Sequence, residues 1–192
     1  MGSSSKPTVA AGASKDRYLE AMSRGVAMVN VVTTDGVAGR FGATVSAMSS
    51  VSADMSPPAL LICLHQDGHT GPAVMVNGVF CINILQQSQR HVADCFANRA
   101  KTASGDRFDC GDWARTGSGA WRLIDAMASF DCRVLKGEIV GTHHVIIGAV
   151  EDITFGAKRR ALLYGDRRYC TAVGLPSNRR AHDPSAGEPS PH

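Results

Sequence analysis

The chain has 192 residues, 44% of them hydrophobic and 19% charged, with a formal net charge of +3. That length supports one domain with a real core and is short for two, and the balance is globular rather than disordered. The weak, scattered positive charge leaves no footprint for nucleic acid, and no run of about 18 apolar residues is available to cross a membrane as a helix.

Residues 1–15 read as a loose leader without the apolar core of a signal peptide. Asp16 is placed to cap a helix over 17–24, with Leu19, Met22 and Val26 near one face and Gly25 ending it. Residues 26–34 form a β-branched run, and Asp35-Gly36 is the short-range signal for a tight hairpin turn. The returning strand carries Gly39 and Gly42, where bends or close backbone approach are expected. It continues into Gly42–Ser52, a β-branched segment rich in small hydroxyl residues, closed by Pro57-Pro58 and followed by the strand Ala59–His65.

Residues 66–71 then read as a loop, with a short helix around 72–76 and an apolar strand over 79–85. Ser88 is placed to cap a helix running to Ala97, whose Val92, Cys95 and Phe96 share a face. From Asn98 to Gly119 the periodicity is lost, and a loop of that length in a compact domain is often functional. Strands return at 127–135, 138–140, 145–155 and 161–164, punctuated by Gly137, Gly141, Gly148 and Gly165. Many short strands and few helices read as an antiparallel barrel. The stretch 174–192, with four prolines and almost nothing to bury, is expected to be disordered, which leaves 16–173 as one domain.

Six cysteines stand far apart, with no C-x-x-C and no Cys/His pair at zinc spacing. Several lie in apolar runs, where cysteine acts as a small hydrophobe; free thiols in a reducing cytoplasm, with no metal, are the expectation. The hydroxyl-rich segment is more informative. It offers open amides and short donors to a flat polar ligand carrying a phosphate, since hydroxyls and amides can cradle phosphate without lysine. The alternative is an ordinary strand whose Thr and Ser line a wet face.

Four pieces in order resemble the short flavin reductase family. They are Gly42–Ser52 with Pro57-Pro58 and the strand to Leu64; Phe80–Leu85 with Phe96-Ala97 and Asp106-Arg107-Phe108; Gly141-Thr142-His143 with Gly148; and Leu162–Gly165 closing on Arg168-Tyr169. The likeness covers roughly residues 17 to 172. It implies a mainly β split barrel that binds FMN or FAD, takes NADH (or NADPH) as hydride donor, and hands reduced flavin to a partner monooxygenase. It also implies a homodimer with flavin near the subunit interface. Two positions depart from the pattern. His65-Gln66-Asp67-Gly68-His69-Thr70 keeps only Thr70 of a loop that in relatives carries Ser or Arg, and Thr142 stands where the family has Asp before the histidine.

Carried over residue by residue, the resemblance assigns Thr44, Val45, Ser46 and Ala47 to the flavin ring edge and ribityl chain. Ser49, Ser50 and Val51 are assigned to phosphate, with Thr70 and Arg107 helping. Tyr169 is likewise assigned to cofactor binding. Asn83 is a candidate ring contact or a wet-face amide, and Phe108 packs near the flavin or anchors its loop. His143 is the residue expected at the nicotinamide; His144, next in a strand, should face the other way. No G-x-G-x-x-G is present, so dinucleotide would bind against the flavin rather than in a Rossmann site. Two other readings stay open: a flavin-binding barrel without turnover, and a pyridoxamine-phosphate-oxidase-like enzyme.

Overall fold

The computed structural model describes residues 12–157 and 160–175; the expected disorder at either end lies largely outside them. Seven strands form one antiparallel sheet: β2 (Asn30–Thr34), β3 (Phe41–Val45), β4 (Met48–Ser52), β5 (Ala59–His65), β6 (Val79–Ile84), β9 (Ala128–Val140) and β10 (His143–Phe155). Their order is β3-β2-β6-β9-β10-β5-β4. Two small sheets flank it, one pairing β7 (Trp113–Arg115) with β8 (Trp121–Leu123). The other joins β1 (Ala27–Met28), β11 (Leu163–Gly165) and β12 (Arg168–Cys170).

The hydroxyl-rich segment is therefore two strands, not one. It breaks at Ser46-Ala47, which carry the chain from one terminal strand of the sheet to the other and roll the sheet into a barrel. The Ala47 carbonyl accepts from the Cys63 amide at 3.1 Å, which extends the β4–β5 pairing by one residue. Because each strand alternates its side chains, the barrel sorts them into two cores. Val32, Ile62, Phe80, Ile82 and Ile146 fill the interior, with Val74 of α2 (Thr70–Asn77) among them. On the outer face Val31, Leu85, Val92, Phe96 and Phe108 pack together beneath α3 (Arg90–Phe96). With both faces covered, β2 is buried at every position, its Asn30, Thr33 and Thr34 included.

Several local expectations are corrected. Helix α1 (Lys15–Ser23) is capped by Ser14 rather than Asp16, and it buries no residue: Leu19, Met22 and Val26 are exposed. Asp35-Gly36 does not close a two-residue hairpin. Asp35 instead accepts from Arg115 at 2.8 Å and from the Trp121 indole at 2.9 Å, and the 35–40 loop is held by the Asn77 amide. Ser88 is no cap. Gln86 and Gln89 form a reciprocal box around a single 3-10 turn, and α3 starts only at Arg90. The separate strands expected at 127–135 and 138–140 are one long β9, and the 98–119 region contains β7 and a 3-10 turn over Arg107–Cys110. A hairpin turn does lie at Gly141-Thr142, where Gly141 at φ +61 suits the first position of a type II′ turn. It makes His143 the first residue of β10, paired with Val140 on one side and His65 on the other.

Asn83 is not a wet-face amide, and it has no group free for a ring contact. It is fully buried on β6, and its Oδ1 accepts from the Leu123 amide at 2.7 Å and from Ser129 Oγ at 2.8 Å. Its Nδ2 donates to the Val31 and Trp121 carbonyls. One side chain thus ties β2, β6, β8 and β9 together. Asn83→Ala should lower the unfolding free energy by about 3 kcal/mol, because it strands several buried donors and acceptors. Urea denaturation measures this, and a loss below about 1 kcal/mol would show that the network is not a principal brace.

Candidate functional site

The seam of the barrel opens into a cleft. β3 and β4 are the terminal strands of the sheet and form no ladder with each other, so peptide groups around Val45, Ser46 and Ala47 are left at its wall. The cleft has a volume of ≈ 520 Å³. One wall is Ala43–Ala47; the opposite one is Cys63, Leu64 and His65 at the end of β5. Thr70 and Gly71, the start of α2, form its floor, and His143 and Tyr18 stand at its margin.

Two smaller spaces share these walls. On the far side of the 67–70 loop, a cavity of ≈ 480 Å³ is bounded by Arg40, Asp67, Thr70, Asp106, Arg107 and Phe108. Beside Thr44, Val45 and Ser46, another of ≈ 160 Å³ is bounded by Arg99, Tyr164 and Tyr169. Most of the expected site residues therefore converge. Thr44, Val45, Ser46, Ala47, Thr70 and His143 meet in one cleft, Arg107 and Phe108 join Thr70 in the second space, and Tyr169 joins Thr44–Ser46 in the third.

Ser49, Ser50 and Val51 do not join them. They lie on β4 at the opposite end of the strand order, are exposed, and line none of these cavities. Asn83 is absent too, with its amide fully engaged in the core. The Thr44 hydroxyl donates to the Ala93 carbonyl at 2.8 Å, so what Thr44 offers a ligand is its peptide group. Sequence reasoning missed Tyr18, Cys63, His65, Arg40 and Arg99. Of these only His65 carried a signal, a polar residue ending an apolar strand.

Electrostatics differ between the spaces. Arg40 lies 4.3 Å from the centre of the Phe108 ring and is ion-paired with Asp106. Arg107 has no carboxylate partner among the described residues, which leaves its charge available to the cavity it lines. Phe108 is buried edge-to-face against Phe96 and Trp113, so it anchors the loop as well as bounding the cavity. The Tyr169 hydroxyl donates to Asp94 at 2.8 Å; burial first, then this carboxylate, pushes its phenol up to about 12 and keeps it neutral. Burial also raises the Cys63 thiol, so it is no activated nucleophile.

His143 Nδ1 lies 3.1 Å from Thr142 Oγ1, and its ring meets that of His65 edge-to-face at 4.9 Å. His144, on the other face of β10, stands against Gly71, where an added Cβ would come within 2.7 Å of its ring. Only the first of the two adjacent histidines reaches the cleft.

A family model described as flavin reductase like domain matches residues 22–172. The chain belongs to this family. It is 43% identical over 159 residues to the FMN reductase (NADH) RutF of Methylorubrum extorquens, covering 83% of this chain and 77% of that protein. Among solved structures it is similar to the NADH:FAD oxidoreductase SgcE6 of Streptomyces globisporus C-1027, at 27% identity and a TM-score of 0.75, over 88% of this chain and 100% of the other. SgcE6 is also known in complex with NAD and FAD fragments. BorF, the flavin reductase component of a bacterial two-component tryptophan halogenase, superposes with a TM-score of 0.72 at 28% identity, over 84% and 100% of the two chains. The fold is thus the split barrel of flavin reductases.

The donor set suits a flavin. Small side chains and unladdered peptide groups leave room for a flat ring beside Ala43–Ala47, and one unpaired guanidinium with the first amides of α2 is available for an anion. Thr44→Val should cost about 1 kcal/mol of stability through its lost bond to Ala93, yet leave the flavin dissociation constant within about twofold. Flavin fluorescence quenching checks this; a tenfold or larger loss of affinity would mean that the hydroxyl itself contacts the ligand.

Proposed function

We propose that this protein is an NADH-dependent flavin reductase that prefers FMN to FAD and passes reduced flavin to a separate oxygenase component. The observation that carries the reading is the cleft in which the Ala43–Ala47 peptide run, the start of α2 and His143 meet. FMN rather than FAD is favoured because the relative at 43% identity bears the name FMN reductase (NADH), whereas SgcE6 at 27% is an NADH:FAD oxidoreductase. The oxygenase partner is inferred by analogy with BorF.

When bound, flavin supplies the acceptor for hydride from the nicotinamide, and the protein supplies alignment and polarity. Ala43–Ala47 hold the ring edge through peptide groups, a contact that does not depend on side-chain ionisation. Thr70 and Arg107 receive the phosphate, taking over the role that the sequence suggested for Ser49, Ser50 and Val51. Tyr169 bounds the site on the far side of Thr44–Ser46. His143, at the cleft margin, orients the visiting nicotinamide. None of these roles needs a strong nucleophile or general base, in keeping with the neutral Tyr169 and the inactive Cys63 thiol.

The active form is a homodimer in this reading. Tyr18, Leu19 and Met22 leave exposed apolar surface on α1, with Tyr18 at the cleft and Val26 exposed just beyond the helix, and exposed Ile139, Val140 and Phe155 mark the ends of β9 and β10. Such surface is characteristic of an interface. The free cysteines among the described residues fit a cytoplasmic setting.

Purified protein given NADH and FMN should oxidise the nicotinamide, followed by its absorbance; no turnover with either FMN or FAD would overturn the reading. His143→Ala should lower kcat/KM for NADH about tenfold, equivalent to ~1.4 kcal/mol, with FMN affinity unchanged. Loss of flavin binding with intact nicotinamide kinetics would move His143 to the flavin. Light scattering should give twice the chain mass, and a monomeric mass would remove the dimer.

A further inference from the structure

We propose that His65 is a positioning residue for His143, fixing the ring that meets the nicotinamide; the inference rests on the reductase reading above. His65 ends β5 directly opposite His143, the first residue of β10. Residues opposed in an antiparallel pair project to the same face, so both imidazoles stand on the cleft side of the sheet. The Gln66 amide donates to the Thr142 carbonyl at 2.9 Å, which fixes the two strand ends to each other. The rings meet at 4.9 Å with an interplanar angle of 74°, the edge-to-face geometry favoured by aromatic quadrupoles.

His65 is itself held. Its Nδ1 accepts from the Asp67 amide at 3.2 Å, which assigns the proton of the neutral ring to Nε2. The Asp67 carboxylate lies 3.7 Å from the same Nδ1. His143 is then bounded at two places, by the Thr142 hydroxyl on Nδ1 and by the His65 ring at its side. A hydroxyl rotor alone constrains a ring weakly, since it can follow the imidazole through a range of angles. The second aromatic surface removes that freedom.

Thr142 and the loop beginning at His65 thus meet across one strand pair. The orientation of the nicotinamide-side histidine comes from a cross-strand imidazole, which is held by the Asp67 amide.

The full chain is tested with His65→Ala, His65→Phe, His143→Ala and the double alanine variant. His65→Ala should lower kcat/KM for NADH about fivefold, the size of one aromatic edge contact, and change FMN affinity by a smaller factor. His65→Phe, which keeps the ring and loses the nitrogens, should recover most of that loss. In the His143→Ala background the further His65→Ala change should have almost no effect, because the two residues act as one unit. Independently of turnover, the ring protons of His143 should shift in the NMR spectrum of His65→Ala toward those of a solvated imidazole. Additive losses, failure of Phe to rescue, or unmoved His143 resonances would each overturn the inference while leaving the reductase reading intact. A wild-type protein that does not oxidise NADH would overturn the reading itself, and the inference with it.

Discussion

The site depends on how the barrel closes. Backbone N–H and C=O groups must be paired wherever water is excluded, and a sheet normally meets that demand strand by strand. Here β3 and β4 end the strand order and share no ladder, so closure passes through the covalent connection Ser46-Ala47. Where the two strands part, the Val45, Ser46 and Ala47 carbonyls are engaged by Asn30, Met48 and Cys63, and what the break offers the cleft is amide N–H. The same break that closes the fold supplies the polar backbone that a flat, hydrogen-bonding ring requires.

Around that seam the surrounding elements act as braces. Thr44 is secured to α3 through Ala93, and the Asn30 amide reaches the Val45 carbonyl, so the β3 wall is held from two sides. On the outer face of the sheet, against β8, Asn83 connects four strands with one side chain. Asp131 plays a similar part on β9, accepting from Thr116 at 2.8 Å and from the Ser118 amide at 2.9 Å, which anchors the turn between β7 and β8. These buried polar groups fix register at positions where apolar packing would tolerate a slip.

The cleft asks little of side-chain ionisation. Its walls are mostly peptide groups and small residues, the Arg107 and Arg99 guanidinium groups lie in the neighbouring spaces, and His143 sits at its margin. That division suits a reaction in which two cofactors exchange hydride and the protein controls their approach. It also explains why four dispersed sequence pieces of ordinary composition together mark the family, while none of them contains a nucleophile or metal motif.

Much of this was legible in the linear sequence. Strand periodicity, the strand Ala59–His65, the glycine before His143 and the opposition of His143 to His144 all follow from local preferences and the two-residue repeat of a strand. The sequence alone also drew Thr44–Ala47, Thr70, Arg107 and His143 into one set, through their order along a recognised pattern. What it could not decide is which groups remain free once the chain is packed. Asn83 and Ser49–Val51 look like ligand contacts in one dimension, but burial takes the first into a hydrogen-bond network and the others stand exposed on β4 without lining the cleft. His65 gained its place only because strand pairing set it opposite His143. Local propensity acts between near neighbours in the chain; the pairing of distant strands is settled by the shared core, and that is where the site is assembled.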